Sequence, residues 1–195
     1  MTNPLLSILI ATTVSRRELF KKLYYEFFLQ TKDLPVEVLF EEDNKQMSIG
    51  AKRHKLLLRS QGQYVVYFDS DDWPFEYYVS EILKALEKKP DCVGFLIHMT
   101  TNLKKPQVCC HSLRYKEWKE RVDGYDYVRN VTHFNPVRRD YAIKIGFVDM
   151  RFGEDKIYSD AITKLCKTEV FINRKLFHYR YSNAEPYKIK YGFKR

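Results

Sequence analysis

Short apolar runs alternate with helical patterns through the first half of the chain, and this alternation limits the possible folds more than any other feature. The apolar runs have the length of strands and lie at residues 6–11, 36–40, 64–68 and 93–97. Helical periodicity separates them at residues 15–27, 50–60 and 79–86. Such alternation predicts βαβ units, and therefore an α/β fold whose mixed, mostly parallel sheet is covered by helices on both faces.

Three local signals predict where the helices begin and which side they bury. A Ser-x-x-Glu spacing starts at Ser15, which is typical of a capping box, so the first helix is predicted to begin there. Leu19, Leu23 and Phe27 recur every four residues and are predicted to form its buried face. Pro74 is predicted to lie in the first turn of the third helix, where a missing N–H has no cost.

The second half of the chain is less regular. Residues 100–132 are polar and aromatic with weak periodicity. A late helix is predicted after Gly153, and residues 176–181 are predicted to form a strand. The predicted apolar face of that helix consists of Ile157, Ala161, Ile162 and Leu165. No repeat or linker divides the chain, so one domain is predicted over residues 1–195.

The chain carries a strong positive charge. It has 34 Lys and Arg residues against 25 Asp and Glu residues, which gives a formal net charge of +9 in 195 residues. This charge favours an anionic partner: nucleic acid, a phosphorylated small molecule or an anionic membrane surface. A purely solubilising surface is the alternative. Aromatic residues make up 15% of the chain, which excludes a disordered protein.

The sequence predicts a cytoplasmic protein. No apolar run approaches the roughly 20 residues of a membrane span. The segment 1–4 contains no Lys or Arg, so the basic start of a signal peptide is missing. The four cysteines have no metal-binding spacing, which favours reduced thiols.

Asp69, Asp71 and Asp72 are the sharpest chemical signal. They directly follow a predicted buried strand, so they are expected at the carboxyl edge of the sheet, where ligands bind. Three carboxylates so close together repel one another unless a cation neutralises them. An Asp-x-Asp pair can share Mg²⁺ or Mn²⁺, and such an ion usually bridges to phosphates. The alternative is a solvated acidic turn that caps the next helix.

Two segments resemble a known family. Residues 48–54 (SIGAKRH) and 62–72 (GQYVVYFDSDD) are similar to the Gly-x-x-x-Arg-Asn stretch, Gly-x-Tyr turn, strand and Asp-x-Asp motif of the family 2 glycosyltransferases. The likeness is specific over about residues 5–75, looser over about 130–181 and absent over about 100–130. His54 departs from the pattern, because the family often has Asn there. The resemblance implies a GT-A fold, which is a Rossmann-like nucleotide-binding fold.

The resemblance also implies roles for the donor-binding residues. Thr12 and Thr13 would end the first strand near the nucleotide base, and Asp43 would hold that base. Arg53 would lie near the nucleotide, unless it is only a surface arginine. The remaining two roles are a ribose contact and a metal ligand: Asp69 would contact the ribose, and Asp71 would bind a Mn²⁺ or Mg²⁺ ion that grips the diphosphate.

Residues late in the chain complete the implied site. Glu154 and Asp155 resemble the family's catalytic-base motif, with Asp155 as the base; an acidic first turn favoured by the helix dipole is the alternative. His178 is a candidate further metal ligand, because some GT-A enzymes use a late histidine, or it is a structural histidine. His133 would lie near the acceptor. The implied division is a donor half over about 1–98, an acceptor half over about 99–181 and a basic tail over 182–195.

The sequence thus predicts a metal-dependent, inverting glycosyltransferase. Its donor is expected to be a nucleotide sugar, with UDP-sugars favoured. The surplus of positive charge predicts an anionic acceptor, such as a lipid-linked glycan at a membrane surface or a modified DNA base. Two alternatives stay open: a nucleotidyltransferase, although residues 11–17 contain no glycine, and a basic nucleic-acid-binding module, although its acidic clusters would repel phosphates.

Overall fold

The computed structural model of the chain describes residues 4–182. The basic tail predicted over 182–195 therefore lies, except for its first residue, outside the described residues. The predicted division into a donor half and an acceptor half stays a prediction. Strands from both of these halves belong to one sheet.

The described residues form ten strands and five helices. The strands are β1 Leu6–Thr13, β2 Val36–Asp43, β3 Tyr64–Asp69, β4 Trp73–Pro74, β5 Cys92–Thr101, β6 Lys104–His111, β7 Lys119–Val122, β8 Tyr125–Arg129, β9 Val137–Arg138 and β10 Glu169–Tyr181. The helices are α1 Arg17–Thr31, α2 Ile49–Arg59, α3 Tyr78–Leu86, α4 Arg139–Ile145 and α5 Glu154–Leu165. A 3₁₀ turn, Val14–Arg16, precedes α1.

One mixed sheet organises these elements. Its strand order is β2-β1-β3-β9-β5-β6-β8-β7, and β10 pairs with β5 and β4. β1 runs parallel to both β2 and β3, and β10 runs parallel to β5. Because β1, β2 and β3 are parallel, their carboxyl ends meet at one edge of the sheet. The predicted α/β architecture is confirmed.

Helices cover both faces of the sheet, as predicted. Side chains alternate along each strand, so neighbouring residues enter different cores. Ile8 and Val66 pack on the side of α1 and α3, whereas Leu9 and Tyr67 pack on the side of α2, α4 and α5. Asp69 follows Tyr67 by two residues and therefore points to the α2 side of the sheet.

The predicted start and face of α1 were wrong in detail. Ser15 lies in the 3₁₀ turn, its Oγ 3.0 Å from Thr13 Oγ1, and the helix begins only at Arg17. The buried residues of α1 are Phe20, Leu23 and Phe27, while Leu19 is 49% exposed. Three plus four residues make nearly two full turns, whereas repeated steps of four drift around the helix.

Pro74 is not in a helix. Trp73 and Pro74 form β4, which pairs antiparallel with Phe177 and His178 of β10, and α3 begins four residues later. A two-residue strand tolerates proline because little of the ladder depends on its missing N–H.

The remaining differences lie in the second half. Residues 104–129 form β6, β7 and β8, which the weak periodicity did not predict. Much of β6 and β7 is exposed, and this removes the apolar alternation that marks a half-buried strand. α5 forms as predicted, but Ile157 is exposed and Tyr158 is buried instead.

The burial pattern of α1 gives a test of the fold. Phe27→Ala is expected to lower the free energy of unfolding by about 3–5 kcal/mol, because it leaves a cavity in the core. Leu19→Ala, on the same helix, is expected to change it by less than about 0.5 kcal/mol. Urea denaturation of both variants measures this difference. Equal destabilisation would contradict the assignment of the buried face.

Candidate active site

The predicted donor-binding residues meet at the carboxyl edge of the parallel strands. Thr13 of β1 lies beside Asp43 of β2, and Ala11 lies beside Asp69 of β3. This is the edge where open α/β sheets bind ligands. The register therefore brings together Ala11 and Asp69, which are 58 residues apart in the sequence.

Arg53 joins the two halves of the site. Its side chain is only 5% exposed. Nη1 donates to Glu154 Oε1 at 2.6 Å, and Nη2 donates to Asp69 Oδ1 at 2.9 Å. Burial disfavours the charge, but the carboxylates of Asp69 and Glu154 raise the pKa of the guanidinium above its usual value. Arg53 is therefore a permanent buried cation between two acids, and not a surface arginine.

The two acids at the start of α5 differ in environment. Burial raises the pKa of Glu154, against the pull of the Arg53 charge. Asp155 is partly exposed, and its Oδ1 accepts from the N–H of Lys156 at 2.8 Å. Glu154 thus anchors the helix start to Arg53. Asp155 sits next to it at the solvent side of the same turn.

Lys52 holds the end of the site that is predicted to bind the nucleotide base. The sequence analysis did not identify Lys52 as a site residue. Its buried ammonium donates to Asp43 Oδ1 at 2.6 Å and to the carbonyl of Thr12 at 2.8 Å. Asp43 Oδ2 accepts from the N–H of Met47 at 2.6 Å. Burial acts to raise the pKa of Asp43, but these bonds outweigh it and hold the pKa below the usual value. The signal that was available is the position of Lys52 beside Arg53 on the predicted helix.

The aspartate turn after β3 splits into residues with different partners. Asp71 Oδ2 lies 2.9 Å from Nη2 of Arg16, which is in the 3₁₀ turn before α1. Asp72 is buried, and its Oδ1 accepts from the N–H of Arg180 at 2.8 Å. Its Oδ2 has no hydrogen-bond partner among the described residues. Burial, together with the charges of Asp69 and Asp71, raises the pKa of Asp72 well above the usual range.

These carboxylates fit a metal ion that is shared with a ligand. Within residues 4–182 no three His, Cys, Asp or Glu side chains are grouped closely enough to hold a metal alone. Mg²⁺ is typically bound by one or two carboxylates together with substrate phosphates and water. Asp71, about one-third exposed at the sheet edge, is suited to that kind of coordination. The residues therefore fit a Mn²⁺ or Mg²⁺ ion held jointly with a diphosphate.

His178 lies next to the aspartate turn in the sheet, opposite Trp73. Its Nε2 is 2.7 Å from Thr100 Oγ1, and its ring is 4.8 Å from that of His98. Burial, with the neighbouring His98 and Arg180, lowers its pKa to about 4, so the imidazole is neutral at pH 7. A neutral imidazole is the form that binds metals. The metal-ligand role of His178 stays a prediction.

His133 and His54 support the site from behind. His133 is buried, and Arg53 Nη2 donates to its Nε2 at 3.0 Å. Burial and the Arg53 charge lower the pKa of His133 well below the usual range. His54 Nδ1 accepts from the N–H of Phe147 at 3.3 Å, so this residue fastens α2 to the segment before α5.

Solved structures share this fold. S. aureus TarS 1-349 has a TM-score of 0.64 and 14% identity, with 90% of this chain aligned to 60% of that chain. The TarS 1-349 complex with UDP-GlcNAc has a TM-score of 0.65 and 12% identity, over 92% and 59%. The mannosyltransferase PcManGT from Pyrobaculum calidifontis, in complex with GDP-Man and Mn²⁺, has a TM-score of 0.52 and 12% identity, over 91% and 57%.

The architecture is therefore the GT-A fold, as predicted. The sequence model of glycosyl transferase family 2 matches residues 17–146, and the chain belongs to this family. The chain spans 60% of the length of TarS 1-349. No curated protein sequence matches the chain.

Removal of Arg53 tests its place at the centre of the site. Arg53→Met is expected to lower the free energy of unfolding by about 3–5 kcal/mol, because it leaves buried Glu154 uncompensated. Arg59→Met is the matched control on the same helix. Arg59 is half-exposed in its ion pair with Glu41, so its loss should cost less than about 1 kcal/mol. Urea denaturation measures the free energy of unfolding of both variants. Similar losses would contradict the role of Arg53 as a buried cation that compensates Glu154.

Proposed function

We propose that the chain is a glycosyltransferase that moves a sugar from a nucleotide diphosphate sugar, with a UDP-sugar favoured, to an acceptor hydroxyl. The observation that supports this most directly is the buried Arg53 bridge. It holds Asp69, on the predicted donor side, and Glu154, beside the predicted base Asp155, in one rigid unit. The transfer of a sugar between two substrates requires that the donor and the catalytic base be held in fixed positions relative to each other.

The end of the site formed by β1, β2 and α2 is proposed to bind the nucleotide. Lys52 fixes both Asp43 and Thr12, so the base of the nucleotide would meet a rigid surface there. The Oγ1 of Thr12 is buried and has no partner among the described residues. Two structural neighbours support a nucleotide-sugar donor, since TarS 1-349 was solved with UDP-GlcNAc and PcManGT with GDP-Man.

Asp71 is proposed to hold a Mn²⁺ or Mg²⁺ ion together with the donor diphosphate. When bound, the ion neutralises the negative charge that develops on the departing diphosphate. Arg16, whose guanidinium contacts Asp71, stands at the same place and adds a positive charge near the diphosphate. Asp69 is proposed to contact the ribose with the oxygen that Arg53 does not hold.

Asp155 is proposed as the general base of an inverting reaction. It accepts the proton of the acceptor hydroxyl while that oxygen bonds to the anomeric carbon. The bond from the anomeric carbon to the diphosphate oxygen breaks on the opposite face, and the nucleoside diphosphate leaves. A carboxylate within hydrogen-bond reach is sufficient for this role.

The acceptor is proposed to be anionic: a lipid-linked glycan in the first place, a modified DNA base in the second. The net charge of +9 supports this. No helix in residues 4–182 is long and apolar enough to cross a membrane. A cytoplasmic location is part of the same proposal, and the four cysteines are unpaired and buried.

Metal removal tests the role of Asp71. Excess EDTA is expected to abolish turnover of a UDP-sugar, and Asp71→Asn is expected to abolish it in the presence of Mn²⁺. The measurement is release of nucleoside diphosphate. Asp140→Asn, an exposed aspartate far along the chain, serves as the control. Full turnover in EDTA would refute the metal, and release of pyrophosphate would instead indicate a nucleotidyltransferase.

A second substitution tests the base. Asp155→Asn is expected to reduce turnover by about 10²-fold or more, since base catalysis is lost, while the affinity for UDP is unchanged. Asp160→Asn on the same helix is the control, because Asp160 forms an exposed pair with Lys156. Calorimetry of UDP binding accompanies the rate measurement. An equal loss of UDP affinity would place Asp155 in the donor site.

A further inference from the structure

Helix α1 has a second apolar side, which faces away from the core and is largely exposed. Phe20, Leu23 and Phe27 face the core, whereas Tyr25 is 63% and Phe28 is 55% exposed. The ring of Phe28 stacks on that of Tyr25, with centroids 6.4 Å apart. A helix that only covers a sheet carries polar residues on its outer side. The outer side of α1 therefore needs another explanation.

The exposed apolar surface continues from α1 onto the edge of the sheet. Tyr24 contacts Phe40 of the edge strand β2, with ring centroids 5.7 Å apart. Tyr24 and Phe28 are neighbours on the helix, as are Tyr25 and Leu29. We call Tyr24, Tyr25, Phe28, Leu29 and Phe40 the α1 patch. A contiguous exposed apolar patch is a common mark of a surface that binds a partner or a membrane.

Lysines stand at both ends of the patch. Lys21 and Lys22 are exposed one turn before Tyr25, and Lys32 is exposed one turn after Phe28. Three acids lie near these three lysines, so the formal charge around the patch is balanced. Glu18 pairs with Lys21 at 2.8 Å, half-buried Glu26 accepts from Gln30, and exposed Asp33 lies in the turn that follows.

We infer that the α1 patch docks the protein on an anionic lipid bilayer. Tyrosine and phenylalanine enter the boundary between head groups and acyl chains, where an apolar ring and a polar hydroxyl are both satisfied. The lysines at either end extend to the anionic head groups. The net charge of +9 of the whole chain supplies the long-range attraction, because the acids beside the patch balance its lysines.

Docking by this surface brings the active-site edge close to the bilayer. Leu19 and Lys22, on the first turns of α1, line a cavity of about 250 Å³ together with Asp71 and Trp73. The aspartate turn is therefore next to the helix end that would touch the lipid. An acceptor carried by a lipid would reach the site without leaving the surface, which links this inference to the proposed acceptor.

Vesicle sedimentation tests the inference. The full chain, without nucleotide, is mixed with vesicles of phosphatidylcholine and phosphatidylglycerol in equal parts, and with pure phosphatidylcholine as reference. Tyr25→Ser with Phe28→Ser is expected to weaken binding to the mixed vesicles by at least about tenfold. Leu58→Ser with Ile157→Ser is the matched control, since both residues are exposed on other helices, and it should bind as the native chain does.

The charge contribution is tested separately. Lys21→Gln with Lys22→Gln is expected to weaken binding by about fivefold for each lysine and to reduce its salt dependence. Three results would overturn the inference: no binding by the native chain, equal binding by the patch and control variants, or a native dimer that the patch variant abolishes in sedimentation velocity. Vesicle binding without any sugar transfer would refute the proposed function and leave the docking surface standing.

Discussion

The buried guanidinium of Arg53 is the interaction on which the site depends. It connects the end of β3, the start of α5 and His133, and its burial is tolerated because two carboxylates compensate its charge. The helix that carries it must approach the segment before α5 closely. A Cβ on Gly50 would lie 1.9 Å from the carbonyl oxygen of Val148, so only glycine allows α2 to take this position. Gly50 thus allows the close approach of α2 that lets Arg53 reach Glu154.

Four acidic residues of the site lie against basic side chains, and the difference in these partners separates their roles. Lys52 compensates Asp43, Arg53 compensates Asp69 and Glu154, and Arg16 approaches Asp71. A cluster of acids that would otherwise repel is therefore stable without assembling into one metal cage. Local compensation keeps the edge of the sheet folded while Asp71 stays accessible for a ligand-bound ion.

Helix α1 combines three tasks through its three-dimensional position. Its inner side closes the core with Phe20, Leu23 and Phe27, and the turn before it places Arg16 against Asp71. Its outer side carries the α1 patch. One helix therefore joins the core, the candidate active site and the α1 patch. The sequence gives only the total positive charge. In the structure, Arg16, Lys52 and Arg53 lie at the candidate site, whereas the lysines of α1 lie on the surface.

The sequence alone determined the alternation of the longer strands and helices in the first half of the chain, the acidic turn after β3 and the Glu154–Asp155 pair, because these follow from local periodicity and neighbouring residues. It also pointed to Arg53 and Asp43 through the family pattern. The tertiary structure decided the partners. Arg53 and Glu154 are 101 residues apart, and Lys52 was found only through its contact with Asp43. The capping prediction at Ser15 failed because Ser15 lies in the 3₁₀ turn that follows β1, where its hydroxyl contacts that of Thr13. The helical prediction at Pro74 failed because Pro74 pairs with Phe177 of β10. Local patterns report which side of an element is buried; the residues it meets there depend on how distant segments pack.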